Sequence, residues 1–251
     1  MRLDMGTTKP VTMVVILFSC CVLGSSTQRL DSARHAIDAY RVAIQLAQKD
    51  PSRGQLEAAF HAIAPLRDAL VMSRSGTQST LESLSEQEFT ALRRDLVGLI
   101  VNREEVVFVE PDVAFFSKLA ARGDAGDRAF FAALRSTYPE SVWPVYIEAQ
   151  TDFSGCTRFG SGTLVSTYFT WIAVTRQYPK RYAEAANRHL LDVINELTES
   201  TCACADRGSV EQEFTQFLRH RETSDVRTRV AQRLAALRRG RAQFRFSCLS
   251  G

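Results

Sequence analysis

Cys156, Cys202, Cys204 and Cys248 stand in the second half of a chain of 251 residues whose other two cysteines are Cys20 and Cys21. Thiols in this number have two chemistries open to them, oxidation to disulfides or metal ligation. In an exported protein an even set reads as two disulfides. A Cys202–Cys204 bridge would close a strained ring. That leaves Cys156–Cys202 with Cys204–Cys248, the preferred pairing, or Cys156–Cys204 with Cys202–Cys248. Each bridge closes a loop of roughly 45 residues and is worth up to ~4 kcal/mol through entropy removed from the unfolded chain. The alternative is a thiolate site for zinc or Cu(I). Cys202-Ala203-Cys204 lacks the usual two-residue spacer, so neither a metal nor another cofactor is expected.

A second group falls between 143 and 162, where Trp143, Tyr146, Glu148, Asp152 and Arg158 share a non-helical stretch with three glycines. Aromatic anchors beside polar groups, stapled by Cys156, make this a candidate binding loop. Glu148 and Asp152 offer the two carboxylates of a glycan-cleaving enzyme. The plainer reading is a turn-rich connection whose aromatics fill the core.

The third group is basic. Arg221, Arg227, Arg229, Arg233, Arg238, Arg239, Arg241 and Arg245 face only Glu222 and Asp225 in the last stretch of chain. Such a face is either a solvated helix surface or a docking site for an anionic envelope surface or an acidic protein. The whole chain carries a net charge of only +3, so no nucleic-acid partner is expected.

No G-x-S-x-G elbow, P-loop, G-x-G-x-x-G, H-E-x-x-H or S-x-x-K is present. The four histidines, His35, His61, His189 and His220, are scattered over separate helical segments. With no nucleophile beside a base, catalysis has no local warrant.

The N-terminus reads as an address. Arg2 and Lys9 precede an apolar run from Val11 to Phe18, and small residues follow it, the pattern of a secretory signal over 1–24. The run is too short for the ~20 residues of a spanning helix. Leu17-Phe18-Ser19-Cys20 looks like a lipobox, with Cys20 as the acylated first residue, although Phe18 occupies a place that usually holds a small side chain. The rival cleavage follows Gly24. Of the 31 basic residues 27 are Arg, which fits a GC-rich bacterial genome.

The elements that must position these groups are nearly all helical. Apolar residues recur every three or four places from Leu30 to Ile44, which predicts a helix over 31–48 after a linker at 25–30. A second helix is expected over 54–73 with a kink at Pro65. Ser85 and Glu88 form a capping box flanked by Leu84 and Phe89, which predicts a helix over 86–102. Ser209 and Gln212 repeat that box. Phe115-Phe116 and Phe130-Phe131 suit two short helices joined by a Gly turn and sharing one core. Helices over 163–177, 180–199 and 225–239 follow, the last closed by Gly240. Phe244, Phe246 and Cys248 alternate with polar residues, so a strand is expected there, paired with 145–148.

The sequence thus describes a mainly α exported domain over 31–251, with about seven to nine helices and one small β pairing near the C-terminus. Its expected role is a non-catalytic binding or interaction protein of the cell envelope, most simply a periplasmic lipoprotein held to the membrane by lipid on Cys20. The alternatives are an envelope enzyme built on 143–162, or an inhibitor or immunity protein for a wall-active enzyme.

Overall fold

The computed structural model describes residues 25–52, 54–72, 78–140, 142–149, 155–220 and 224–248. The leader with Cys20, residues 73–77, Asp152 and Arg221 lie outside the described residues. The chain is mainly helical with two small two-stranded sheets, and no described helix is long and apolar enough to cross a membrane.

Helix α1 runs from Ser25 to Lys49, so helix takes the place of the expected linker at 25–30. Its buried row, Ala33, Ile37, Tyr40, Ile44 and Ala47, steps by three and four and packs on α2 (Gln55–His61) and α3 (Ile63–Val71). The expected single helix over 54–73 is two, broken at Ala62. Pro65 has no N–H to give the His61 carbonyl, so the α-helical ladder is interrupted there. A short α4 (Thr80–Ser83), with its own Ser79–Glu82 capping box, also went unforeseen, so there are more helical segments than expected.

Helix α5 starts where the Ser85–Glu88 box predicts, but it stops at Asp95 instead of continuing to 102. Gly98 is the reason. Its φ of +81° lies in the left-handed region, and a Cβ there would sit 2.5 Å from the Phe115 ring. Beyond it, β1 (Leu99–Asn102) pairs antiparallel with β2 (Phe108–Pro111), placing Ile100 opposite Glu110. The Tyr40 hydroxyl donates to the Val97 carbonyl at 2.6 Å, tying this turn to α1.

Helices α6 (Val113–Ala120) and α7 (Ala125–Thr137) are the two expected carriers of Phe pairs. Phe116 stacks on Phe131 at 5.5 Å, and Phe130 stacks on Tyr182 at 4.1 Å. A hairpin of β3 (Ile147–Ala149) and β4 (Gly155–Thr157) leads into α8 (Thr163–Gln177). Three helices complete the chain: α9 (Ala183–Thr198), α10 (Arg207–Arg219) and α11 (Asp225–Arg238). The expected start of α9 at 180 is moved by Tyr182, whose φ of 49° bars helix before Ala183. The second capping box does not form. Asp206 caps α10 instead, accepting the Ser209 N–H at 2.8 Å.

The C-terminal segment is not the partner of 145–148. Residues 201–205 lie between, bridged to β4 at Thr157↔Ala203 and to the C-terminal segment at Cys202↔Arg245. This placement decides the cysteine pairing. Arg245 beside Cys202 brings Cys248 to Cys202, and Cys204 is left for Cys156. The disulfides are Cys156–Cys204 and Cys202–Cys248, with Cα atoms 5.0 and 6.1 Å apart, so the preferred pairing was the wrong one of the two. Disulfides of this kind belong to an oxidising, exported environment.

Candidate functional site

Of the expected binding residues of 143–162, the structure describes Trp143, Tyr146, Glu148 and Arg158. Tyr146 is buried, and Trp143 lies against the hairpin beside Gly155. The Glu148 carboxylate is 3.3 Å from the Arg158 guanidinium, a half-exposed ion pair that braces the two arms of the hairpin. Asp152, the other expected carboxylate, lies outside the described residues. Glu148 and Arg158 act as a brace across the hairpin, and Val142, just before this segment, borders a cleft elsewhere.

The arginines of the last helix are similarly spoken for. Arg229 pairs with Glu199 and Asp225, Arg238 with Glu211, and Arg227 donates to the His220 carbonyl. Arg233 turns inward. It donates to the Leu197 carbonyl at 2.8 Å and to that of Ser200, closing the end of α9, and lies over the Phe214 and Phe244 rings. Burial pulls its pKa down to about 10. Arg239, Arg241 and Arg245 are exposed.

Two buried charge clusters are architectural. The wholly buried Glu213 carboxylate accepts the N–H groups of Gly160, Gly162 and Val165 at 2.8, 2.9 and 3.1 Å. It thereby caps α8, whose own N-cap, Gly162, has no side chain to do so. Asp127, also wholly buried, accepts from the Tyr182 hydroxyl and from Arg181, both at 2.7 Å. Arg181 also reaches Glu57 and Asp124, and the Glu57 carboxylate accepts the Tyr182 N–H. These bonds hold Tyr182 in its left-handed conformation.

One feature with the dimensions of a site is a cleft of about 770 Å³. It is bounded by α2, α3, the β1–β2 hairpin, the start of α6, residues 138–140 and 142, and one face of α9. Phe60, Ile63, Ile100, Val113, Leu134 and Val142 supply apolar wall. Arg67, Glu110, Tyr138, His189 and Asp192 supply the polar part. Clefts of this size, mostly apolar with a few polar groups, are where small ligands bind.

Each polar group is placed by identifiable bonds. Arg67 leaves α3 to donate through Nε to the Val109 carbonyl at 3.0 Å and through Nη2 to Glu110 at 2.7 Å, pinning α3 to the hairpin. Burial raises the Glu110 pKa, and the Arg67 charge only partly opposes it. His189 is stacked on Trp171, and burial drops its pKa to about 4, so the imidazole is neutral at physiological pH. The Tyr138 hydroxyl stands 3.5 Å from His189 Nδ1, at the limit of a hydrogen bond, and burial pushes its pKa up. Asp192, one turn along α9 from Arg188, is also raised by burial.

The cleft lining contains no Ser, Thr, Cys or Lys among the described residues, and its tyrosine is held protonated. No cluster of His, Cys, Asp and Glu among the described residues has metal-binding geometry. The arrangement can bind and orient, and among the described residues it offers no Ser, Thr or Cys nucleophile beside a base. Comparison with protein-family models, with curated proteins and with solved structures finds no match.

The sequence marks none of these cleft residues as a site: Pro65 stands out there only as a kink, and His61 and His189 only as scattered histidines. They come from separate elements with no fixed spacing. The nearest signal was Glu184, Arg188 and Asp192, a charged row at helical spacing on α9.

Proposed function

We propose that the protein is a non-catalytic ligand-binding protein of the bacterial cell envelope, and that it holds its ligand in the cleft between α3, the β1–β2 hairpin and α9. The observation that carries this reading is a cavity of about 770 Å³ whose walls are apolar and whose polar groups are fixed and, among the described residues, include no Ser, Thr or Cys nucleophile beside a base. The two disulfides support an exported protein. The leader supports export as well, with acylated Cys20 as the tether on the periplasmic side. Arg239, Arg241 and Arg245 then form a basic edge suited to anionic headgroups or an acidic envelope partner.

Native mass spectrometry of the protein recovered from its own compartment tests this. The wild type is expected to carry a small-molecule adduct that the cleft-filling variant Ala185→Trp loses while keeping its far-UV circular dichroism and its cooperative thermal unfolding. An adduct that persists in the folded variant, or none in the wild type, would overturn the cleft as the site. The same spectra read the N-terminus: an acylated Cys20 is expected, and a chain starting at Ser25 would remove the tether.

A further inference from the structure

The cleft departs in charge from the molecule that carries it. Over the whole chain 31 basic residues outnumber 28 acidic ones, yet the cleft is lined by five carboxylates against two guanidiniums. Both guanidiniums are already occupied. Arg67 is bound to Glu110 at 2.7 Å and Arg188 to Glu184 at 2.6 Å. Among the described residues Asp192 and Glu140 have no cation within ion-pair distance, and both are exposed at the rim. His189, neutral at physiological pH, adds no positive charge. Phe60 and Tyr138 line the same space, and aromatic rings attract cations through their negative faces.

We infer that the cleft takes a small organic cation, an ammonium group carried on an apolar body, with Asp192 and Glu140 selecting its charge. The inference rests on the cleft being the ligand site. An anionic ligand would meet uncompensated carboxylates at the rim and find both guanidiniums engaged. A neutral apolar ligand would fill the walls but gain nothing from the rim. An ammonium satisfies both parts, its chain against Ile63 and Leu134 and its charge toward Asp192.

Three probes of matched chain length separate these possibilities: octyltrimethylammonium, octan-1-ol and octanoate, each titrated calorimetrically at low salt into the oxidised mature protein. The ammonium is expected to bind about tenfold more tightly than octanoate, with the alcohol between them. The Asp192→Asn, Glu140→Gln variant is expected to erase this order. Because both side chains are on the surface, the variant should fold as the wild type does. Equal binding of all three probes, or an order that survives the double variant, would overturn the cation inference and leave the cleft as a binding site. Failure of every probe to bind would overturn both.

Discussion

The His189 imidazole lies on the Trp171 indole, with ring centroids 4.7 Å apart and planes 20° from parallel. Trp171 is wholly buried and its Nε1 donates to the Thr137 hydroxyl at 3.0 Å, so the indole is a fixed platform for the cleft's histidine. An imidazolium in contact with an indole quenches its emission. In a Trp143→Phe background, the fluorescence of Trp171 is expected to titrate with a midpoint near 4, where burial places His189. A midpoint near the ordinary 6.5 would mean that the ring is solvated, and His189→Gln should abolish the step.

The same shift fixes the sign of a stability change. A histidine whose folded pKa is lowered is protonated first in the unfolded state, so its contribution is present above 6.5 and is lost as pH falls from 6.5 towards 4. The full effect is at most about 3 kcal/mol. Glu110 and Asp192, raised by burial, act in the opposite sense as pH falls, so the wild-type curve alone is not diagnostic. The difference in urea unfolding free energy between wild type and His189→Gln should shrink as pH falls through this window. A difference independent of pH would contradict the buried, neutral imidazole.

Asp127 carries the joint between the two halves of the helical body, because Arg181 and Tyr182 lead into α9 while Asp127 belongs to α7. Removing it leaves the buried Tyr182 hydroxyl without its acceptor and takes one of three carboxylates from Arg181, which keeps Glu57 and Asp124. Asp127→Ala is expected to cost about 3–5 kcal/mol in chemical denaturation. Arg188→Ala, which breaks an exposed pair with Glu184, should cost less than about 1 kcal/mol.

The two disulfides differ in access. Cys156 and Cys204 are buried, whereas Cys202 and Cys248 are partly exposed near the end of the chain. Mild reduction followed by alkylation and peptide mapping should label Cys202 and Cys248 first. Loss of either bridge reopens a loop of 46 or 48 residues, an effect of up to about 4 kcal/mol. Equal labelling of all four cysteines would contradict the burial of the inner bridge.

Local signals in the sequence held where one segment decides its own structure. The Ser85–Glu88 box starts α5, the Phe pairs sit on two short helices, and Gly240, with φ of +67°, follows α11. They failed where a distant contact decides. Phe89, Leu92, Leu96 and Leu99 keep helical spacing, yet Gly98 and the pairing of Val101 with Val109 turn the last of them into a strand. The cysteine pairing depends on residues 201–205 lying between β4 and the C-terminal segment, a register that spacing does not encode. The cleft was illegible for the same reason: Arg67, Glu110, Tyr138 and His189 meet only once α3, the hairpin and α9 have packed.

Two-dimensional NMR of the oxidised protein titrated with octyltrimethylammonium asks most directly where a ligand sits. The expected result is saturable shift changes confined to cleft residues such as Ile63, Val113, Tyr138 and His189, with the Arg239–Arg245 edge and the Glu148–Arg158 brace unmoved. Changes centred on either of those surfaces, or none that saturate, would contradict the cleft as the binding site.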